Sequence, residues 1–334
     1  EILLSLNTFL SQPSMGDVPL GKDFVNWIEK RHHIYLKKEE GLEWPWTDDE
    51  IFQKYKFTNV FRELDRTTVW MRENLTNPNA HKPHALMIYN CAVFRMFGTM
   101  EMCEAIGGWQ ETYNPEHLKR TARDRLDNKK KVFTGAYIIT NQGKKEPKEN
   151  VVVDEFLFAI WDYRQLLSDI ASKGNIQHMH QNLGKLRGWG GGGFMAYELV
   201  SDLRYTPVLE NATDINTWAN AGPGAKRGLN RVFGRPLKFS SRLHNWNREM
   251  MFLLKIVNDE KESFVPTLEM REIEHSLCEF DKYQRVKHGE GKPRSIYQPP
   301  GQERSKWARY RARRKEKINE EHLRGTPDLL QSQD

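Results

Sequence analysis

The chain has 334 residues, of which 38% are hydrophobic and 11% aromatic, with a net charge of +6, so it can build a substantial core and is not a disordered protein. No stretch approaches the ~20 apolar residues of a membrane span, and the first residues lack the basic region and cleavage site of a signal peptide, so we predict no membrane partner. Three cysteines without CxxC spacing favour reduced thiols over a zinc site or an iron–sulfur cluster.

The first half of the chain is predicted to be mostly helical. Thr47 and Glu50 have the spacing of a capping box, which predicts a helix that starts near Asp48 and runs through 47–75. The one convincing extended segment in this half is AYIIT, residues 136–140. Further helices are predicted within 84–98, within 99–110 with an end at Gly107-Gly108, and over 115–133.

The second half continues the helical pattern, with helices predicted within 151–172, 214–234, 242–259 and 267–289. In the last of these, one apolar stripe is formed by Met270, Ile273, Leu277 and Phe280. We predict a mostly all-α fold with a single helical domain over 1–300 and a basic C-terminal tail over 301–334.

Four consecutive glycines stand in the stretch KLRGWGGGGFMAYEL, residues 185–199. A Walker phosphate loop is excluded because no Gly-Lys-Ser/Thr occurs in this sequence, and the match to GxGxxG lies among helices and not in a βαβ unit. A helix–hairpin–helix fits better, because bare glycine backbone lets N–H groups approach a DNA phosphate. A turn without a ligand remains the alternative. The predicted DNA-binding residues here are Gly188, Trp189, Gly190, Gly191 and Gly192, with Trp189 as a wedge or stacking group or, alternatively, a core residue.

The positive charge is concentrated near the end of the chain. Residues 303–324 hold nine Lys/Arg against four Glu, interleaved with aromatic side chains. Such a segment suits a polyphosphate partner, because its cations displace condensed counterions. Arg311 and Arg313 are the predicted DNA contacts, and a solvated terminal helix is the equal alternative.

Three segments, 57–70, 217–234 and 271–283, resemble the α-glutamyl/putrescinyl thymine pyrophosphorylase family, the amino acid:DNA transferases of bacteriophages. The same helical module resembles the one attached to 5-hydroxymethyluracil DNA kinases. The resemblance, over about residues 20–300, implies a remodelled DNA-glycosylase fold. It also implies that an amino acid or amine displaces pyrophosphate from 5-pyrophosphoryloxymethyluracil in DNA, in the cytoplasm of an infected bacterial host.

The partners implied by the resemblance are DNA with a modified thymine, a free amino acid or amine as co-substrate, and a hydroxymethyluracil DNA kinase as a functional partner. We predict no prosthetic group, because a free amine needs none. No metal is assigned, since His178 and His180 lack a third ligand at recognisable spacing. In helical glycosylases with this hairpin a lysine can open the second helix. Gly192 stands there, so a Schiff-base lyase is disfavoured.

That reaction needs anion-binding and proton-transferring groups. Lys226, Arg227 and Arg231 follow Gly222-Pro-Gly224 at a predicted helix start and are candidates for phosphate, with a solvated basic edge as the alternative. A second candidate set for phosphate or the incoming carboxylate, with an ion pair that joins helices as the alternative, is Arg62, Asp65 and Arg66.

The third segment offers the acid–base candidates. Glu274 or His275 is the predicted general base, because imidazole titrates near neutral pH and a buried carboxyl can be tuned upward. Cys278 raises the hypothesis of a thiolate that adds to C6 of the pyrimidine, although a small buried residue is the simpler interpretation. Glu279 completes the catalytic candidates, Lys282 of the same segment is a candidate for phosphate or substrate binding, and a structural ion-pair network is the alternative.

Two rival functions remain. A glycosylase that excises a modified base would rest on Asp214. A non-enzymatic DNA-binding module, such as the helical accessory domain of a hydroxymethyluracil kinase, would bind the duplex and leave it unchanged.

Overall fold

A computed structural model describes residues 16, 18–241, 243–293 and 295–299. Over these ranges the chain is built of α-helices without an extended strand, and its single antiparallel bridge joins Tyr55 to Ile296. The prediction of a mostly all-α fold is therefore confirmed. No helix in the described ranges is both long and apolar enough to cross a membrane.

Thirteen α-helices follow one another in the described ranges. They are α1 (Gly21–Glu39), α2 (Glu50–Lys54), α3 (Arg66–Met71), α4 (His84–Phe97), α5 (Met100–Ala105), α6 (Pro115–Asp127), α7 (Lys148–Val151), α8 (Phe158–Ala171), α9 (Ile176–Leu183), α10 (Phe194–Leu203), α11 (Pro223–Val232), α12 (Trp246–Glu260) and α13 (Met270–Lys287). A π-helical segment, Val152–Leu157, joins α7 directly to α8, and another, Arg72–Thr76, continues α3.

Side-chain caps set the starts of the helices that matter for the site. The carboxylate of Glu269 and that of Glu272 form a reciprocal capping box at the start of α13. Asn175 accepts the N–H of His178 at the start of α9, and Asn245 accepts the N–H of Arg248 at the start of α12. These caps fix where the functional faces of the three helices begin.

One hydrophobic cluster extends from Val18 to Phe280 and holds most of the buried side chains. Its densest region lies where α11 packs on α13, while α4 packs on α8. The predicted stripe of α13 is confirmed, since the side chains that form it are all buried: Met270, Ile273, Leu277 and Phe280. The helix that carries the acid–base candidates is thus anchored along its length.

The predicted long helix over 47–75 is wrong. Helix α2 starts at Glu50, after Asp49 as its cap, and the chain from Tyr55 to Phe61 is not helical. In this segment side chains take the place of helical hydrogen-bond partners, because the N–H of Thr58 donates to Glu279 and that of Asn59 donates to Asp65.

Two smaller predictions also fail. Residues 136–140 form no strand; this segment is irregular, and the hydroxyl of Tyr137 donates to the carbonyl oxygen of Arg95 at 2.6 Å. Helix α6 ends at Asp127, before the predicted end at 133, and Lys129 just beyond it has a φ of +55°. By contrast, the helix predicted within 214–234 is present as α11, which begins at Pro223 directly after its cap residue Gly222, close to the predicted start.

Candidate functional site

The glycine-rich turn connects α9 to α10. An ideal Cβ on Gly188, where φ is +87°, would collide with the ring of Phe156, so this glycine is required by close packing. Gly191 and Gly192 are exposed, and a Cβ on either would meet nothing within 4 Å. The tip of the turn therefore presents bare backbone to solvent, as a phosphate contact requires, whereas Gly188 and Gly190 serve the packing of the turn.

Trp189 lies in the core and not at the tip. Its side chain is fully buried, and its Nε1 donates to the carbonyl oxygen of Phe156 at 3.0 Å. A wedge has to project from the surface, so this geometry favours the core interpretation of Trp189.

Asp214 acts as a helix cap from a distance. Its two carboxylate oxygens accept the N–H groups of Ile176 and Gln177 at 2.8 and 2.9 Å, at the first turn of α9. The two N–H groups and the positive end of α9 stabilise the negative charge of this carboxylate in its observed position. Its observed role is structural.

Glu274 and His275 form a buried dyad on α13. The Nδ1 of His275 lies 3.0 Å from Oε2 of Glu274, and Oε1 of Glu274 accepts the N–H of Gly222 at 3.2 Å. Gly222 is the cap residue of α11, so the carboxylate sits at the positive end of that helix. A carboxylate on Nδ1 selects the tautomer that leaves a lone pair on Nε2, which is the arrangement of a general base.

A network of buried charges lies beside this dyad. Arg95 of α4 pairs with Asp202 and, at 2.9 Å, with Glu198 of α10, and Arg62 pairs with Asp65 at 2.7 Å. Burial alone would raise the pKa of Glu198, but Arg95 and Arg62 hold it below its ordinary value. The network fixes α10 to α4 and leaves Arg62 neutralised.

Arg66 does not join Arg62. Arg62 lies in a separate 3-10 turn, and Arg66 is the exposed first residue of α3. The predicted helix over 47–75 would place Arg62 and Arg66 one turn apart on one face, and its interruption between them removes that arrangement.

The three cationic side chains that follow Gly222 differ in their ion pairs. Arg227 pairs with Asp281 at 3.0 Å, and Arg231 pairs with the same carboxylate at 2.9 Å and also with Glu290. In the described part of the chain, no carboxylate pairs with Lys226, whose Nζ lies 5.5 Å from the ring centre of Trp246. Among these three candidates, Lys226 best keeps its charge available for an anion.

The remaining candidates on α13, Glu279 and Lys282, contact each other and the segment 57–58. Glu279 accepts both the N–H of Thr58 and, at 2.6 Å, the ammonium of Lys282, which also lies over the ring of Phe57. These contacts fit the ion-pair interpretation of Glu279 and Lys282.

Cys278 is exposed, but its Sγ faces the backbone of Gly224. The pKa of its thiol is raised to about 12, first by removal of the sulfur from water and next by the like charges of Glu274 and Glu279. A thiol with this pKa is protonated near neutral pH, which disfavours thiolate attack.

An open cleft of about 390 Å³, which we call the indole cleft, lies next to the start of α11. It runs between the segments 218–221 and 243–247, with Lys226 on its wall, and Trp218 and Trp246 contribute the indoles. Neither this cleft nor the roles of Arg95, Glu198 and Asp202 were predicted from the sequence. Charged residues four apart in the otherwise apolar FMAYELVSDL were a usable signal for the last two.

No group of three or more His, Cys, Asp or Glu side chains with the geometry of a metal site occurs in the described ranges. His180 lies 3.0 Å from the carbonyl oxygen of Gly193, and its ring packs at a tilt of 49° against Trp218. Arg311 and Arg313, the predicted tail contacts, lie outside the described residues.

Residues 19–293 match the family model described as the helical domain of 5-hmdU DNA kinase. A protein named 5-hmdU DNA kinase from Bacillus phage SP10 is 26% identical over 300 residues, which cover 81% of this chain and 46% of that protein. The chain thus spans about half the length of this curated relative. No solved structure matches the chain. The predicted resemblance to the helical module of these kinases is confirmed, and the resemblance to the pyrophosphorylase family stays a prediction.

Proposed function

The chain belongs to the family of 5-hmdU DNA kinase helical domains, and from this premise we propose that it takes part in the modification of 5-hydroxymethyluracil in DNA. The relative's name indicates phosphorylation of such a base. For the residues of this chain we propose a role in the same chemistry that acts on DNA that already carries the modified base.

The specific reaction we propose is amine transfer with release of pyrophosphate. An amino acid or amine attacks the 5-methylene carbon of 5-pyrophosphoryloxymethyluracil, a C–N bond forms, and the C–O bond breaks with its electron pair leaving on pyrophosphate. The proton lost by the amine passes to Nε2 of His275. Glu274 stabilises the resulting imidazolium, because its carboxylate lies on Nδ1.

The observation that carries this proposal is the placement of the dyad. Glu274 is buried and fixed by the N–H of Gly222, so it is preorganised to orient His275. The same helix start presents Lys226, whose ammonium no described carboxylate pairs with and which is available to the departing pyrophosphate. Since the thiol of Cys278 has its pKa raised to about 12, we propose direct displacement without a covalent C6 adduct.

The test is an incubation of the chain with duplex DNA that carries 5-pyrophosphoryloxymethyluracil and a pool of amino acids. Nucleoside mass spectrometry then detects an adduct, and a coupled assay detects pyrophosphate. We expect His275→Gln to lower the single-turnover rate by about 10²–10⁴-fold, the usual contribution of a general base. His288→Gln removes an exposed imidazole from the end of the same helix and is the matched control.

A second candidate is a DNA-binding module without a reaction of its own. It is favoured by the family match to a domain of a larger kinase. This module would bind hydroxymethyluracil DNA and yield no adduct with any donor, which would refute the transferase. A glycosylase would instead release the base, but no observation favours it, because both oxygens of Asp214 cap α9.

A further inference from the structure

The indole cleft has a rigid frame. Its two walls are tied together by Asn247, whose side-chain oxygen accepts the N–H of Ala219 at 2.9 Å. On one wall the ring of His244 packs edge-on against Trp246 with centroids 4.4 Å apart. On the other wall Trp218 packs against Tyr197 at 5.8 Å. These contacts hold the two walls of the open cleft against each other.

The lining of the indole cleft suits a nucleotide. Two indoles offer apolar surface on which a base can stack, and side-chain amides of Asn220 and Asn245 offer donors and acceptors for a base edge. Lys226 adds a positive charge without a carboxylate partner among the described residues. The volume of about 390 Å³ lies within the usual range for small-ligand sites.

Leu243 projects from the rim of this cleft. Its side chain is 96% exposed. Within the turn the N–H of Leu243 donates to the hydroxyl of Ser241 at 3.2 Å, and the next residue, His244, is packed on Trp246. An exposed apolar side chain beside a base-sized cleft has the form of a wedge for a base stack.

We propose that the indole cleft receives a nucleotide extruded from duplex DNA and that Leu243 fills the place the base leaves in the stack. This inference rests on the proposed function, because it takes hydroxymethyluracil DNA as the ligand. The cleft adjoins the glycine turn, where the Nδ2 of Asn220 lies 3.5 Å from the carbonyl oxygen of Gly192. It also adjoins the dyad, because Ala221 lines the cleft and the next residue, Gly222, donates to Glu274.

The test uses the full chain and two duplexes that carry 2-aminopurine opposite either 5-hydroxymethyluracil or thymine. Extrusion of the partner base unstacks 2-aminopurine and raises its fluorescence, while anisotropy of an end label reports binding separately. We expect a fluorescence rise with the hydroxymethyluracil duplex. Leu243→Ala should reduce that rise by about tenfold, since unstacking a base step costs a few kcal/mol that the wedge offsets.

Leu166→Ala is the matched control, because Leu166 is 53% exposed on α8 and does not line the cleft. Lys226→Met should weaken binding of the hydroxymethyluracil duplex. It should also reduce the slope of log K against log salt concentration by about one, which corresponds to one lost phosphate contact. If the chain binds neither duplex, the proposed function and this inference fall together. If it binds without a fluorescence rise, or if Leu243→Ala behaves like Leu166→Ala, this inference is overturned and the proposed function stands.

Discussion

Substitution of Gly228 by alanine should strongly destabilise the protein. Gly228 lies inside α11, where that helix crosses α13. An ideal Cβ at this position would lie 2.7 Å from the carbonyl carbon of Leu277, and closer still to its oxygen. The obstacle is backbone in the middle of a long helix, so no side-chain rotation relieves the overlap.

The magnitude follows from the distance that the two helices must separate. Carbon atoms in contact lie roughly 3.5–4.0 Å apart, so α11 and α13 must separate by about 1 Å. A gap of that size forfeits about a quarter to a half of the dispersion energy of the facing atoms. Alanine gains about 1 kcal/mol in helix propensity over glycine, which offsets only part of this loss. We expect the free energy of unfolding to fall by about 2–3 kcal/mol.

Urea denaturation followed by circular dichroism measures this loss, and two other glycines calibrate it. Gly192→Ala should change stability by less than ~0.5 kcal/mol, because a Cβ there meets nothing within 4 Å. The stability loss of Gly224→Ala should lie between these two values, because its Cβ would press on the movable side chain of Cys278. Addition of Cys278→Ala to the Gly224→Ala variant should restore most of that loss. Equal stability of Gly228→Ala and Gly192→Ala would refute the packing argument.

Four further predictions concern charged groups and the thiol. Arg95→Met should lower the free energy of unfolding, measured in urea, by about 3–5 kcal/mol, because it leaves the buried carboxylate of Asp202 unpaired and leaves Glu198 with only Arg62, at 4.0 Å; wild-type stability would contradict this. Asp214→Ala should cost about 1–2 kcal/mol through loss of the α9 cap, and an unchanged urea midpoint would show that the cap is dispensable. Cys278 should react with iodoacetamide near neutral pH much more slowly than a free cysteine, because its pKa of about 12 keeps the thiol protonated; fast labelling in mass spectrometry would refute this. Burial raises the pKa of Glu272 from 4.5 to about 7, so the folded state binds its proton more tightly and stability should fall as pH rises through this range; Glu272→Gln should flatten that dependence in urea midpoints.

Much of the helical framework was predictable because its signals are local. The stripe of α13 repeats at helical spacing, and the end of α5 is marked by adjacent glycines. The segment 55–61 was not predictable in this way. Its apolar residues Val60 and Phe61 also fit a helix. The observed non-helical form is stabilised by Glu279, which accepts the N–H of Thr58 and lies 221 residues further along the chain. A single sequence does not reveal such distant partners.

The site was predictable only in part, for a related reason. Glu274 and His275 are neighbours in sequence, and their residue types indicated acid–base chemistry before their contact was seen. Sequence pattern does not separate a buried tryptophan from an exposed one, so it leaves both the wedge and the core interpretation of Trp189 open and gives no sign that Leu243 is exposed. The indole cleft depends on a hydrogen bond between Asn247 and Ala219, which lie 28 residues apart. No motif in the sequence indicates that these two residues meet.

The buried arginine network explains how a turn and a dyad on different helices keep a common geometry. Arg95 forms ion pairs with Glu198 and Asp202 on α10, the helix that follows the glycine-rich turn, and so fixes that helix to α4. Tyr197 on the same helix packs edge-on against His275 of the dyad, with ring centroids 6.0 Å apart. A shift of α10 would therefore move both the exposed glycines and the imidazole. In the transferase that we propose this coupling matters, because phosphate contacts set the register of the duplex while the imidazole of the dyad must lie within hydrogen-bonding reach of the attacking amine.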